Sequence, residues 1–241
     1  MALKLFIDFD GTITRQDVGN VFFRRFGGVE CDEAVREYRA GALSATGCFE
    51  REVAALGKLD VIEATRFVRG QEIDSSFKSF VEFCRNRHLE FYIVSDGLDY
   101  YIREILEAHG ISGVSFFANA LEIGPVDGEG KSNATIRFPF RDSECTRCAC
   151  CKRNVMLSLA GDDDVIGYVG EGYSDHCPVQ YADLVFAKDE LQKFCQRENI
   201  SYYLYSSFSE IVDRLSTLLE KQTLPKRRRA EVMRRALFAR G

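Results

Sequence analysis

Leu3-Lys4-Leu5-Phe6-Ile7-Asp8-Phe9-Asp10-Gly11-Thr12-Ile13-Thr14 is an apolar run that delivers two carboxylates, a glycine and a hydroxyl where it stops. Such a run predicts a buried strand over Leu3 to Phe9. Open parallel sheets collect their ligands outside the carboxyl ends of the strands, so Asp8 and Asp10 stand where an α/β enzyme places its chemistry. With one residue between them, continued strand geometry would turn both carboxylates to the same side, where they repel unless a cation lies between. Mg²⁺ suits oxygen ligands and keeps some of its waters, so a phosphate ester held against Asp8 is the natural chemistry. Asp-Gly is also a common turn, and the remaining sequence has to decide between the two readings.

Three later stretches repeat the pattern. Phe91-Tyr92-Ile93-Val94 ends in Ser95-Asp96-Gly97, a hydroxyl and flexible amides able to cradle a phosphate. Cys151-Lys152-Arg153 opens a helical pattern in which one ammonium could balance phosphate charge. Val165-Ile166-Gly167-Tyr168-Val169 runs into Gly170-Glu171-Gly172-Tyr173-Ser174-Asp175, where two acids on a glycine-bearing turn are suited to complete a hard-metal site begun at Asp8. Each signal has a structural reading as a cap or turn. Four such endings in one chain argue against coincidence.

Strands are expected at Leu3–Phe9, Leu89–Ser95, Val114–Ala118, Val165–Val169 and Leu184–Phe186, alternating with helical spacing, which implies a parallel sheet covered on both faces. The interval Arg15–Arg87 carries no convincing strand but several helical stretches: Asp17–Phe26, Asp32–Arg39, Gly47–Leu56 and one from Asp60 to about Val68. Residues 15–74 are therefore expected to form a small helical cap over the strand ends, screening Asp8 from water. Residues 1–14 and 75–222 would form the core. Phe77, Phe80, Val81 and Cys84 share the inward face of its first helix. A hairpin is expected over Asn119–Phe138, surface helices over Leu191–Cys195 and Ser207–Leu219, and a basic extension over 223–241. That extension reads as a solvated tail, helical and docked through Val232, Met233, Leu237 and Phe238 if it is ordered.

The length of 241 residues and 46% hydrophobic content suit one large domain with a modest insertion, and exclude disorder as the expectation. A net charge of −5 argues against nucleic acid as the main partner. The sequence has no apolar run long enough for a bilayer, and its start leads into a strand instead of a signal peptide, so no membrane partner and a cytoplasmic location are expected. Of nine cysteines, Cys31, Cys48, Cys84, Cys177 and Cys195 are scattered where a small buried apolar residue would serve. Cys145, Cys148, Cys150 and Cys151 could close a tetrahedral zinc site. Their adjacency and the lack of a second separated pair favour free or buried thiols.

The series Asp8-x-Asp10-Gly-Thr12, Ser95, Lys152 and the acidic loop Glu171 to Asp175 resembles the haloacid dehalogenase superfamily of phosphatases, over nearly the whole core. The resemblance implies a Rossmann-like core, with Asp8 as a nucleophile that becomes an aspartyl phosphate and Asp10 as the general acid and base. It implies that Thr12, Ser95, Asp96, Gly97 and Lys152 bind the phosphoryl oxygens. It also implies that Mg²⁺ is held by Asp8, the Asp10 carbonyl, Glu171 and, directly or through water, Asp175. Glu171 stands where this superfamily more often has Asp. The helical insertion is similar to that of the phosphoserine phosphatase branch, and the Cys148-x-Cys150-Cys151-Lys152 run resembles the methionine-salvage phosphatases within it. The expected substrate is accordingly a small phosphorylated metabolite, handled by a monomer or homodimer, with Asp17, Asn20 and Arg24 as candidate substrate-choosing residues of the cap. The alternatives are a phosphotransferase using the same intermediate and a catalytically weakened binding or regulatory protein.

Overall fold

The computed structural model describes residues 2–239; of the expected core and basic extension, Met1, Arg240 and Gly241 lie outside them. The first strand, β1 (Leu3–Ile7), is flanked by parallel neighbours on both sides, β3 (Glu90–Leu98) and β6 (Val165–Gly170). Beyond β6 come β7 (Leu184–Ala187) and β8 (Tyr203–Leu204), also parallel. Beyond β3 comes β4 (Phe116–Ile123), which starts parallel to β3 and continues into an antiparallel hairpin with β5 (Lys131–Arg137). The last partner on that side is β2 (Lys58–Asp60), so the order is β2-β5-β4-β3-β1-β6-β7-β8.

Alternation along β1 splits the core in two. Leu3, Leu5 and Ile7 join one cluster with α5 (Phe77–Asn86) and α9 (Phe208–Glu220), while Phe6 joins the other with α7 (Lys152–Leu159) and α8 (Asp189–Arg197). Every residue of β6 is buried, as expected of a central strand covered on both faces. Phe77, Phe80, Val81 and Cys84 are buried on α5 as their spacing predicts.

The interval after β1 holds α1 (Val18–Gly27), α2 (Val29–Arg39), α3 (Ala45–Ala55) and α4 (Val61–Arg69). It is not free of strands, because β2 pairs Leu59 with Ser132 of the hairpin. Three residues are too few for a periodicity to register in sequence. This interval is thereby stitched to the sheet.

The basic extension is not merely solvated. Its helix α10 (Arg228–Phe238) packs Met233 and Leu237 onto the second cluster, but leaves Val232 and Phe238 exposed, which corrects the expected docking face. Arg227 Nη1 donates to the carbonyls of Val179 (3.0 Å) and Ala182 (2.7 Å), and Arg234 Nη1 lies 3.1 Å from Asp183 Oδ2.

Candidate active site

β1 ends at Ile7, and a turn begins at Asp10 with Gly11 at φ 71°, so the alternation that would have aligned the two carboxylates stops short of the second. They diverge. Asp8 is 4% exposed and accepts from Lys152 Nζ at 2.6 Å and from Thr12 Oγ1 at 3.1 Å. Asp10 turns to other donors: its Oδ1 accepts from the amides of Val18 (3.0 Å) and Gly19 (3.3 Å), its Oδ2 from Tyr101 (2.8 Å) and more distantly from Ser95 Oγ (3.3 Å). The main like-charge neighbour of Asp8 is therefore Asp175, and Asp10 contributes less.

Lys152, the first residue of α7, is 2% exposed and bridges Asp8 and Asp175, 2.7 Å from Asp175 Oδ1, with Ser174 Oγ at 2.9 Å. Burial opposes its charge, but Asp175 and Asp8 outweigh that and hold the ammonium above its ordinary value. Asp175 is 0% exposed and saturated by the protein: Lys152 and Tyr168 (2.6 Å) donate to Oδ1, the amides of Glu171 (2.9 Å) and Gly172 (3.0 Å) to Oδ2. It positions Lys152 and the acidic loop, which leaves it poorly suited to direct metal binding. Glu171 reaches the other way. A Cβ placed on Gly11 would lie 2.8 Å from Glu171 Oε1, so this carboxylate rests against the first-motif turn, within the longer reach of Glu relative to Asp.

Burial pushes Asp8 well up, with Asp175 adding to the rise and Lys152 opposing it. Asp10 is pushed to about 7 by burial and the charge of Asp17, against the donors that favour its ionised form. Glu171 is pushed to about 7 by burial and Asp175. Acids thus outnumber the single ammonium at these strand tips. Among the described residues no three carboxylate, imidazole or thiol groups already surround one point that could hold a metal ion.

The second motif divides. Ser95 is fully buried beside Asp10 and accepts from the Gly97 amide at 2.9 Å. A Cβ on Gly97 would collide with the Tyr101 hydroxyl and lie 2.7 Å from Asp10 Oδ2, so glycine here admits the Tyr101–Asp10 contact. Asp96 Oδ1 accepts from the amides of Ala149 and Cys150, both at 2.7 Å, and its carbonyl accepts from Asn119. Its carboxylate ties down the loop before Lys152, a position at odds with the expected phosphate contact.

The three candidate substrate-choosing residues lie on α1 and at its N-cap. Asp17 caps α1 through the Asn20 amide at 2.8 Å, and only its charge is felt at Asp10. Asn20 is exposed, and Arg24 is paired with Asp32 at 3.0 Å on the surface. Missed in the sequence were Tyr101 and Tyr168. A hydroxyl inside the otherwise apolar strand Val165–Val169 was a usable signal for Tyr168, whereas nothing separated Tyr101 from the core aromatics around it.

Residues 3–202 match the model of a family described as Putative Phosphatase. The chain belongs to this family. It is a phosphatase, and its fold is shared with a haloacid dehalogenase family hydrolase. Two relatives, each named 2-hydroxy-3-keto-5-methylthiopentenyl-1-phosphate phosphatase, come from Bacillus cereus strain B4264 and Geobacillus kaustophilus. The first is 27% identical over 91% of this chain and 99% of its own length, the second 29% over 90% and 96%. Among solved structures, a phosphoserine phosphatase bearing a phospho-aspartyl intermediate analogue is 19% identical with TM-score 0.63, covering 88% of this phosphatase and 98% of that chain. A haloacid dehalogenase family hydrolase from Salmonella enterica is 15% identical with TM-score 0.66, covering 87% and 69%. At these identities the solved structures establish the shared fold.

Proposed function

We propose that this phosphatase hydrolyses a small phosphorylated metabolite in two displacements through a phosphoryl group carried on Asp8. The observation that carries the reading is the divergence of the two carboxylates. Asp8 is held by Lys152 and Thr12, while Asp10, two residues on, is held separately at about 7, near the pH at which it must give and take a proton. An Asp8 oxygen forms a bond to phosphorus as the ester oxygen leaves, taking a proton from Asp10. Water then attacks the same phosphorus, Asp10 accepts its proton, and inorganic phosphate departs with Asp8 restored. Lys152 neutralises charge on the phosphoryl oxygens, with Ser95, Thr12 and the Gly97 amide as candidate donors beside it.

The donor set fits Mg²⁺. Its members are all oxygens, and buried negative charge exceeds the one ammonium, which a divalent cation would correct. Asp8, Glu171 and the Asp10 carbonyl would hold it, and it would supply charge neutralisation at the phosphoryl group. Residues 15–74 act as the cap in this reading, and the cytoplasm is its setting. The substrate reading favoured by the relatives is the methionine-salvage enol phosphate, with phosphoserine second.

Hydrolysis of an aryl phosphate that requires Mg²⁺ and disappears in Asp8→Asn supports the reading; turnover unchanged in that variant overturns it. A screen of phosphorylated metabolites, run with and without alcohol acceptors, identifies the substrate and separates hydrolysis from phosphoryl transfer.

A further inference from the structure

Asp96 lies between Ser95 and Gly97, both candidate donors to the phosphoryl group, yet its own carboxylate is spent on another part of the chain. Oδ1 accepts from the consecutive amides of Ala149 and Cys150, each at 2.7 Å, an arrangement that cradles an anion. One further bond carries the tether to Lys152, because the Cys150 carbonyl accepts from the Lys152 amide at 2.9 Å. Cys151, which precedes α7, gives that helix no side-chain cap. Residues 141–151 form no helix or strand, so the register of Lys152 depends on bonds of this kind. Asp96 is itself fixed from behind. The pairing of β3 with β4 shifts register between Val94 and Leu98, so Ser95, Asp96 and Gly97 stand against Ala118 alone and bulge from the sheet. Asn119, fully buried just past this irregularity, donates from Nδ2 to the Asp96 carbonyl at 2.7 Å. Its Oδ1 is buried without a partner among the described residues, a cost that an apolar side chain would avoid.

We propose, on the reading that Ser95, the Gly97 amide and Lys152 hold the phosphoryl group, that Asp96 is a positioning residue. It fastens the Ser95–Gly97 turn to the loop that aims Lys152, and Asn119 holds it there, so that hydroxyl, amide and ammonium meet the phosphoryl group as one preset constellation. The Asp96 carboxylate does not touch the phosphoryl group, whose negative charge would repel it. It acts through the placement of Lys152. Two amides bond a carboxylate more strongly than a neutral acceptor, and a misplacement of about 1 Å at a catalytic group can cost about 10²-fold in rate.

Amide hydrogen exchange of the full chain, followed residue by residue, reads the tether without any turnover. Exchange at Ala149 and Cys150 should be slow in the wild type and at least about 10-fold faster in Asp96→Ala. Aryl phosphate hydrolysis by the same variant should fall about 10²-fold in kcat, with KM changed by less than about 3-fold. Asp96→Asn keeps an acceptor for the two amides and should lie between Asp96→Ala and the wild type in both measurements. With Lys152→Met as the starting chain, Asp96→Ala should cost less than about 2-fold more, because the group it positions is already gone. Should Asp96→Ala not fold, Asp96→Asn must show both changes in lesser degree. Asp8→Asn tests the nucleophile separately, so failure of the tether and failure of the underlying reading are told apart. Exchange unchanged in folded Asp96→Ala, a loss of turnover equally large with and without the Lys152 ammonium, or a change confined to KM would each overturn the proposal.

Discussion

The segment 142–152 contributes to two clusters of opposite chemical character. One is the oxygen and ammonium centre in which Lys152 meets Asp8, Ser174 and Asp175; the other is the thiol pair of Cys145 and Cys148. In the first, the protein supplies dense internal wiring: Lys152 has three oxygen partners and Asp175 four donors. In the second, Cys145 Sγ and Cys148 Sγ lie 3.7 Å apart. The contrast teaches that the chain orders its candidate site by hydrogen bonds in which these two thiols take no part.

Substitutions in the first cluster should carry the largest effects. Asp8→Asn should lower turnover at least about 10³-fold, because a covalent nucleophile is lost; steady-state kinetics checks this. Lys152→Met leaves Asp8 and Asp175 buried without their counter-charge. It should cost about 3 kcal/mol of stability, read as a lower melting temperature, together with a loss of turnover. Tyr101→Phe removes one donor from Asp10 and keeps the ring. A fall of about 10-fold in kcat with little change in KM is expected, whereas a change confined to KM would reassign Tyr101 to substrate binding.

The smallest effect belongs to α3. Glu52 is 6% exposed, and burial with the charge of Asp17 pushes it to about 8 against the bond from Cys48. The folded chain therefore holds a proton there that the unfolded chain releases near the ordinary carboxylate value. Stability should be fullest below that value and fall as pH rises toward about 8. Glu52→Gln should flatten this slope and gain about 1 kcal/mol above pH 8, measured by denaturant unfolding at several pH values.

The long central strands were legible in the sequence because burial on both faces leaves nearly continuous apolar runs, as at Leu5–Ile7 and Val165–Val169. β2 and β8 were not, since three and two residues carry no pattern. The acids and Lys152 were legible by residue type and by place at strand ends, yet their division of labour was not. Asp175 differs from Glu171 only through contacts that the fold creates, with Tyr168 and Lys152. Asp8 and Asp10 part because a turn, set by Gly11, replaces the strand.

The most direct test of the account is a rapid acid quench of Asp10→Asn with a ³²P-labelled substrate, followed by peptide mapping. This variant slows the second displacement, so the label should accumulate on the peptide containing Asp8, through a bond that hydroxylamine cleaves. Steady turnover with no label on that peptide, or label on another residue, would contradict the nucleophile assignment.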